Sequence, residues 1–157
     1  FLRNGFLHRT IREQGGAYGG GSSHDPNIAA FRFFSYRDPR LVETLDDFDA
    51  SIIWLLETQH EQLALEEAIL SVMASLDKPG SPAGEAKRDF HERLFGRTAE
   101  HRRILRAGIV GTTLDDLRRV TENYLKPELA STALITHTAG ADIVAGRQLP
   151  LTRQDLL

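Results

Sequence analysis

Apolar residues in the opening stretch of the chain recur near helical spacing. Leu2, Phe6, Leu7 and Ile11 carry this pattern, and it predicts the end of a helix over Leu2 to Gln14. The Gly15-Gly16 pair is its stop, because glycine readily takes the left-handed conformation that closes a helix. Ala17 to His24 then reads as either a glycine-rich strand or a loop. Ile28 to Tyr36 (IAAFRFFSY) is short, aromatic and flanked by turn residues, which predicts a strand. HDPN between the two reads as a hairpin connection.

The period then changes. Asp38-Pro39 predicts a helix start, with Asp38 as N-cap and Pro39 in the first turn. Leu41, Leu45, Phe48, Ile52 and Leu55 mark one face of that helix, and Leu65, Ile69, Val72 and Leu76 carry a second. DKPGSP, residues 77–82, stops the second helix and is the best internal hinge. Ser81-Pro82 caps a third helix that holds Phe90 and Leu94. Further helices fit residues 98–108 and 113–125. In the latter, Thr113 with Asp116 forms a capping-box-like start, and Leu114, Leu117, Val120 and Tyr124 form the expected buried stripe. Lys126-Pro127 ends it. STALITH, residues 131–137, predicts a late strand, and a short helix follows over about 141–147. No internal repeat or low-complexity tract interrupts this order.

A helix, two adjacent strands, a long helical block and one late strand imply an α+β fold. The expected architecture is a small, mostly antiparallel sheet with a block of helices packed on one face. Three strands are few for so many helices. The chain also opens Phe1-Leu2-Arg3, and its only methionine is Met73. Both features favour a single partial domain over residues 1–157, part of something larger.

Composition narrows the function classes. The chain has 157 residues, 41% hydrophobic and 26% charged, enough apolar material for one core. A net charge of −3 gives no sign of a nucleic-acid surface. No apolar run approaches the ~20 residues of a membrane span. Cysteine is absent, which removes disulfides and thiolate metal sites.

IREQGGAYGGGSSHD, residues 11–25, is the most unusual stretch. It lacks the lysine of a phosphate-binding P-loop. Its helix-glycines-strand order is the reverse of a dinucleotide-binding turn. Six histidines, His8, His24, His60, His91, His101 and His137, offer no zinc-hydrolase helix. His60-Glu61 and His91-Glu92 lack a second histidine at the required spacing. Arg97-Thr98-Ala99-Glu100-His101 has the inverted spacing, but arginine stays protonated and binds no metal. Ser22-Ser23-His24 lacks the context of a nucleophile, and the acidic pairs Asp46-Asp47, Glu66-Glu67 and Asp115-Asp116 read as solvated helix faces.

Arg12 and Tyr18 remain. As structural residues, Arg12 would pair with a surface acid and Tyr18 would pack its ring. As functional residues, Arg12 gives fixed donors for a peptide carbonyl or carboxylate. Tyr18 can donate to an oxygen that gains charge in a transition state. The surrounding glycines would let an extended backbone approach.

IREQGGAYGGGSSHD, FRFFSYRDPRLVETLDDFDASIIWL and SLDKPGSPAGEAKRDFHERLFGRT together resemble the C-terminal part of a presequence-protease-like member of the pitrilysin/insulin-degrading family of zinc metallopeptidases. The resemblance runs from about residue 7 to about residue 127. It implies four related α+β domains in one chain, closing around a chamber for unfolded peptides. It implies that zinc and the glutamate base lie on another domain, in the N-terminal half of the same polypeptide, and that this chain binds none. By matching positions, Arg12 and Tyr18 would complete that distant site. Arg12, Gly16, Ala17, Tyr18 and Gly19 would hold the substrate, with Tyr18 helping to stabilise the tetrahedral intermediate.

Alone, such a chain is expected to be inactive, and an unpaired sheet edge would favour self-association. The bacterial cytoplasm or an organelle matrix fits it. Two other readings stay open: a structural scaffold domain, as in non-peptidase core subunits of respiratory complexes, or a separate Arg/Tyr subunit of a two-chain peptidase.

Overall fold

The computed structural model of the chain describes residues 1–145 and 152–154. The leading helix, Arg3–Gln14, is a π-helix. The Gly15 N–H reaches the Thr10 carbonyl, five residues back, at 2.9 Å. This wider turn explains which residues are buried. Leu2, Leu7, Ile11 and Gly15 are, at steps close to the turn length, while Phe6 is only half-buried. Phe6 instead packs on Trp54, with ring centroids 5.7 Å apart.

The glycine-rich stretch resolves as a strand. β1 (Gly19–Asp25) and β2 (Ala30–Tyr36) form an antiparallel hairpin in which Gly19 faces Tyr36 and Asp25 faces Ala30. The turn is PNIA rather than HDPN, so β2 begins at Ala30 and not at Ile28. Ala29 takes a left-handed φ of 50° there. Asp25 Oδ1 accepts from the Asn27 N–H at 3.0 Å, an Asx turn that closes the loop.

Helix α1 (Val42–Glu57) starts later than the sequence predicts. Asp38 does not cap it. Its carboxylate accepts instead from the Ser35 hydroxyl, the Arg40 N–H and the Thr44 hydroxyl, at 2.6, 3.0 and 2.7 Å. Those bonds join the end of β2 to the first turn of α1, and Leu41 takes the cap position without a side-chain bond. Thr44, Ser51, Ile52 and Leu55 form the buried face of α1, and Phe48 stacks on Phe33 of the hairpin at 5.3 Å.

The chain divides into two units, Phe1–Thr58 with Arg118–Leu157, and Gln59–Leu117. The division does not fall at the 77–82 hinge, which lies inside the second unit. That unit holds α2 (Gln62–Leu76), α3 (Pro82–Leu94) and α4 (Ala99–Val110). Ser81 caps α3, accepting from the Gly84 N–H at 3.2 Å, with Pro82 in the first turn as the sequence implies. Asp77 pairs with Arg106 of α4, and Glu92 with Arg102 at 2.6 Å. Leu65 is buried in α2, but Val72 and Leu76 are exposed.

α5 (Leu114–Tyr124) opens with the expected capping box. Thr113 Oγ1 accepts from the Asp116 N–H, and Asp116 Oδ2 accepts from the Thr113 N–H, both at 3.1 Å. Its apolar stripe, however, is not buried. Leu114 and Leu117 are half-covered, Val120 and Tyr124 are exposed, and Thr121 is the residue that goes inside. The apolar period set the face, but burial of that face needs a partner surface, and among the described residues it is covered only in part, at Leu114 and Leu117. A 3-10 turn, Pro127–Leu129, follows Lys126.

Residues 131–137 form no strand. A strand needs a neighbouring ladder, and among the described residues the sheet has two strands, with Ile135 almost fully exposed. α6 (Thr138–Ala145) replaces the helix predicted over about 141–147; residues 146 and 147 lie outside the described residues. The α+β class holds, with a smaller and wholly antiparallel sheet.

Candidate functional site

The site begins where the π-helix ends. The Gly16 N–H donates to the Arg12 carbonyl at 3.1 Å, and the Ala17 N–H donates to the Ile11 carbonyl at 3.2 Å. This is a Schellman-type ending stretched by one residue, as the wide helical turn requires. Gly16 has φ 79°, a left-handed conformation in which a larger residue would be strained. Ala17 is buried, so the turn is anchored at its centre. The next N–H, that of Tyr18, donates to the Arg37 carbonyl at 3.2 Å and begins the hairpin.

This geometry sets Arg12 on the last turn of the helix and Tyr18 immediately before β1. Both side chains are exposed, Tyr18 to 61%. Among the described residues no carboxylate pairs with the Arg12 guanidinium, and no group bonds the Tyr18 hydroxyl. The surface acid that a structural Arg12 would seek is therefore not its partner. The Tyr18 ring does pack. It meets Tyr36 edge-on, at 5.5 Å and 64°, and carries the Arg37 guanidinium 5.4 Å from its centroid. One end of the phenol is braced while its hydroxyl stays free.

The neighbouring glycines have internal uses. The Tyr36 ring lies where a Cβ on Gly19 would be, the Arg40 guanidinium occupies the same space at Gly15, and Ile11 Cγ2 comes within 2.7 Å of a Cβ built on Gly20. Arg40 bonds the Thr10 carbonyl at 3.2 Å and Asp47 at 2.8 Å. It thereby ties the helix end to α1. Close approach is what these glycines permit, as expected, but the approaching groups at Gly15, Gly19 and Gly20 belong to the chain itself. Gly16 is more open, with Pro39 Cγ at 3.6 Å its nearest neighbour.

Sequence reasoning missed Tyr36, Arg37 and Asp38. Each gains its role only once the hairpin register brings the end of β2 beside Tyr18. The one available signal was the Arg37-Asp38-Pro39 turn after an aromatic strand.

The histidines show no converging set. His8 pairs with Glu13 at 3.3 Å, and His137 Nδ1 accepts from the Gly140 N–H at 2.8 Å. Among the described residues no group of three or more His, Cys, Asp or Glu side chains could hold a metal ion. An open recess of about 370 Å³ is lined by Gly5, Phe6, Arg9, Thr10, Gln14 and Trp54, and by neither Arg12 nor Tyr18.

Residues 1–133 match the family model described as the PreP C-terminal domain. The chain is 40% identical over 120 residues to the mitochondrial presequence protease of Eremothecium gossypii, covering 76% of this chain and 12% of that protein. It is 38% identical over 120 residues to the Saccharomyces cerevisiae mitochondrial presequence protease, covering 76% and 12%. Against that of Mus musculus it is 36% identical over 120 residues, covering 76% and 11%. The chain therefore spans a small fraction of the length of the relatives it matches.

Proposed function

The chain belongs to the PreP C-terminal domain family, and we propose that it serves a peptidase by presenting Arg12 and Tyr18 to a peptide cleaved at a site on another domain. The observation that carries this reading is the pair of exposed, unpartnered polar groups held at either end of one anchored glycine turn. Arg12 offers N–H donors in a fixed fork to a peptide carbonyl or carboxylate. The Tyr18 hydroxyl donates to the carbonyl oxygen as that oxygen gains negative charge. Because the turn is already ordered, little reorganisation opposes this at the moment of reaction. In this reading Gly16, whose nearest neighbour is Pro39 Cγ at 3.6 Å, leaves room for the peptide, Ala17 anchors the turn from within, and Gly19, packed under the Tyr36 ring, offers its backbone only.

Zinc, in this reading, belongs to the N-terminal half of the same polypeptide. The substrates are unfolded peptides, among them cleaved targeting sequences, and the compartment is the organelle matrix of the mitochondrial relatives.

The test is peptide cleavage by the full-length enzyme, wild type against Tyr18→Phe, with metal content measured in both. The variant keeps the ring and its packing and loses only the hydroxyl. A fall in kcat of more than roughly tenfold, about 1.4 kcal/mol of transition-state stabilisation, is expected with metal retained. Unchanged turnover would leave the domain a scaffold.

A further inference from the structure

Arg37 has an uncommon backbone and an otherwise unused cation. Its φ of 48° is left-handed, a region that residues other than glycine seldom enter. Two groups of contacts hold it there. Its carbonyl accepts the Tyr18 N–H at 3.2 Å. The next residue, Asp38, is fixed by Ser35, the Arg40 N–H and Thr44. Strain of this kind persists only where the surroundings over-determine it. Here the result is that the chain doubles back and sets the guanidinium over the Tyr18 ring, 5.4 Å from the centroid. Among the described residues no carboxylate competes for that cation.

An exposed phenol would otherwise turn freely about its side-chain bonds, and the bound peptide would have to order it. The guanidinium on the face and Tyr36 against the edge restrict that freedom in advance. We propose that Arg37 is a positioning residue: it acts through Tyr18, holding the ring so that the hydroxyl is aimed before the peptide arrives. This rests on the role given to Tyr18 above.

A double-mutant cycle in the full-length enzyme tests it, with Arg37→Met made in the wild type and in Tyr18→Phe. In the wild type, kcat falls about threefold with KM little changed, as the strength of an exposed cation–π contact implies. In the Tyr18→Phe background Arg37→Met has no further effect, because no hydroxyl is left to aim. Arg37→Lys keeps a cation and recovers part of the loss. Arg37→Gly relieves the left-handed backbone but removes the cation, and it should lose as much as Arg37→Met.

An equal loss in both backgrounds would mean that Arg37 touches the peptide itself or serves folding, and it overturns the proposal. So does a fully active Arg37→Met or Arg37→Gly enzyme, or a lysine variant no better than methionine. If Tyr18→Phe alone is fully active, the role of Tyr18 fails first and this one falls with it. That outcome differs from a Tyr18→Phe loss with independent Arg37 effects, which sinks only the positioning role.

Discussion

Arg12 and Tyr18 are assigned different parts of one task, and their side chains explain the difference. A guanidinium is charged in every state of the reaction, so in the proposed role Arg12 would hold the substrate and the transition state alike. Arg12→Ala in the full-length enzyme is therefore expected to raise KM by about tenfold, the scale of one hydrogen bond to a charged group, with a smaller effect on kcat. A normal KM in that variant would remove the residue from the binding role. The sequence singles out these two residues because they bracket the Gly15-Gly16 pair, in a glycine-rich stretch that no P-loop or dinucleotide pattern explains. Arg37 was not legible. The Arg37-Asp38-Pro39 turn marks a chain reversal but not its place over Tyr18, which comes from the pairing of Gly19 with Tyr36, a tertiary fact.

Elements were readable where their ends are made locally. The Gly15-Gly16 stop, the Ser81 cap and the Thr113/Asp116 capping box each involve groups within one turn of those they satisfy. Asp38 misled for the opposite reason. Its Asp-Pro context suits an N-cap, but Ser35 and Thr44 compete for the same carboxylate and win by joining two elements. Removing that node leaves the buried Thr44 hydroxyl without its acceptor. Asp38→Ala should destabilise the chain by ~1–3 kcal/mol, read as a lower denaturant midpoint. An unchanged midpoint would make the node decorative.

A carboxylate within α1 acts with the opposite sign. Desolvation by burial pushes the Asp49 carboxyl above its ordinary value of 3.8. The fold thus disfavours its charged form. That penalty is fully present above the raised pKa and is relieved as pH falls through it toward the unfolded value. Asp49→Asn should therefore unfold at a higher temperature than wild type at neutral pH, with the gap closing as the pH falls through the raised pKa toward 3.8. A gap that is constant with pH would assign the change to packing rather than ionisation.

At the scale of the whole molecule, the α+β class and the family were readable, but the amount of core was not. Periodicity says which face of a helix is apolar, and not whether anything covers it. Among the described residues α3 and α4 bury none of their side chains, and Leu70, Leu94, Tyr124, Leu129 and Ile135 are each more than two-thirds exposed. The sheet adds a second source of open surface. β1 and β2 pair only with each other among the described residues, so each has an outer row of unpaired N–H and C=O groups. β2 carries Phe31, Phe33 and Phe34 with no proline, and Arg32 is its one charge, so it lacks the usual protection of an edge. A net charge of −3 gives weak repulsion between copies.

This chain, taken by itself, is therefore expected to self-associate. Sedimentation velocity should show species larger than a monomer that grow with concentration. Phe34→Lys, which places a charge on a partly exposed position of that strand, should shift the distribution toward monomer. If the lysine variant associates as strongly as wild type, the helical surfaces and not the hairpin drive assembly. A single monomer boundary at high micromolar concentration would mean that neither surface is adhesive, and that the open strand edges are satisfied by water.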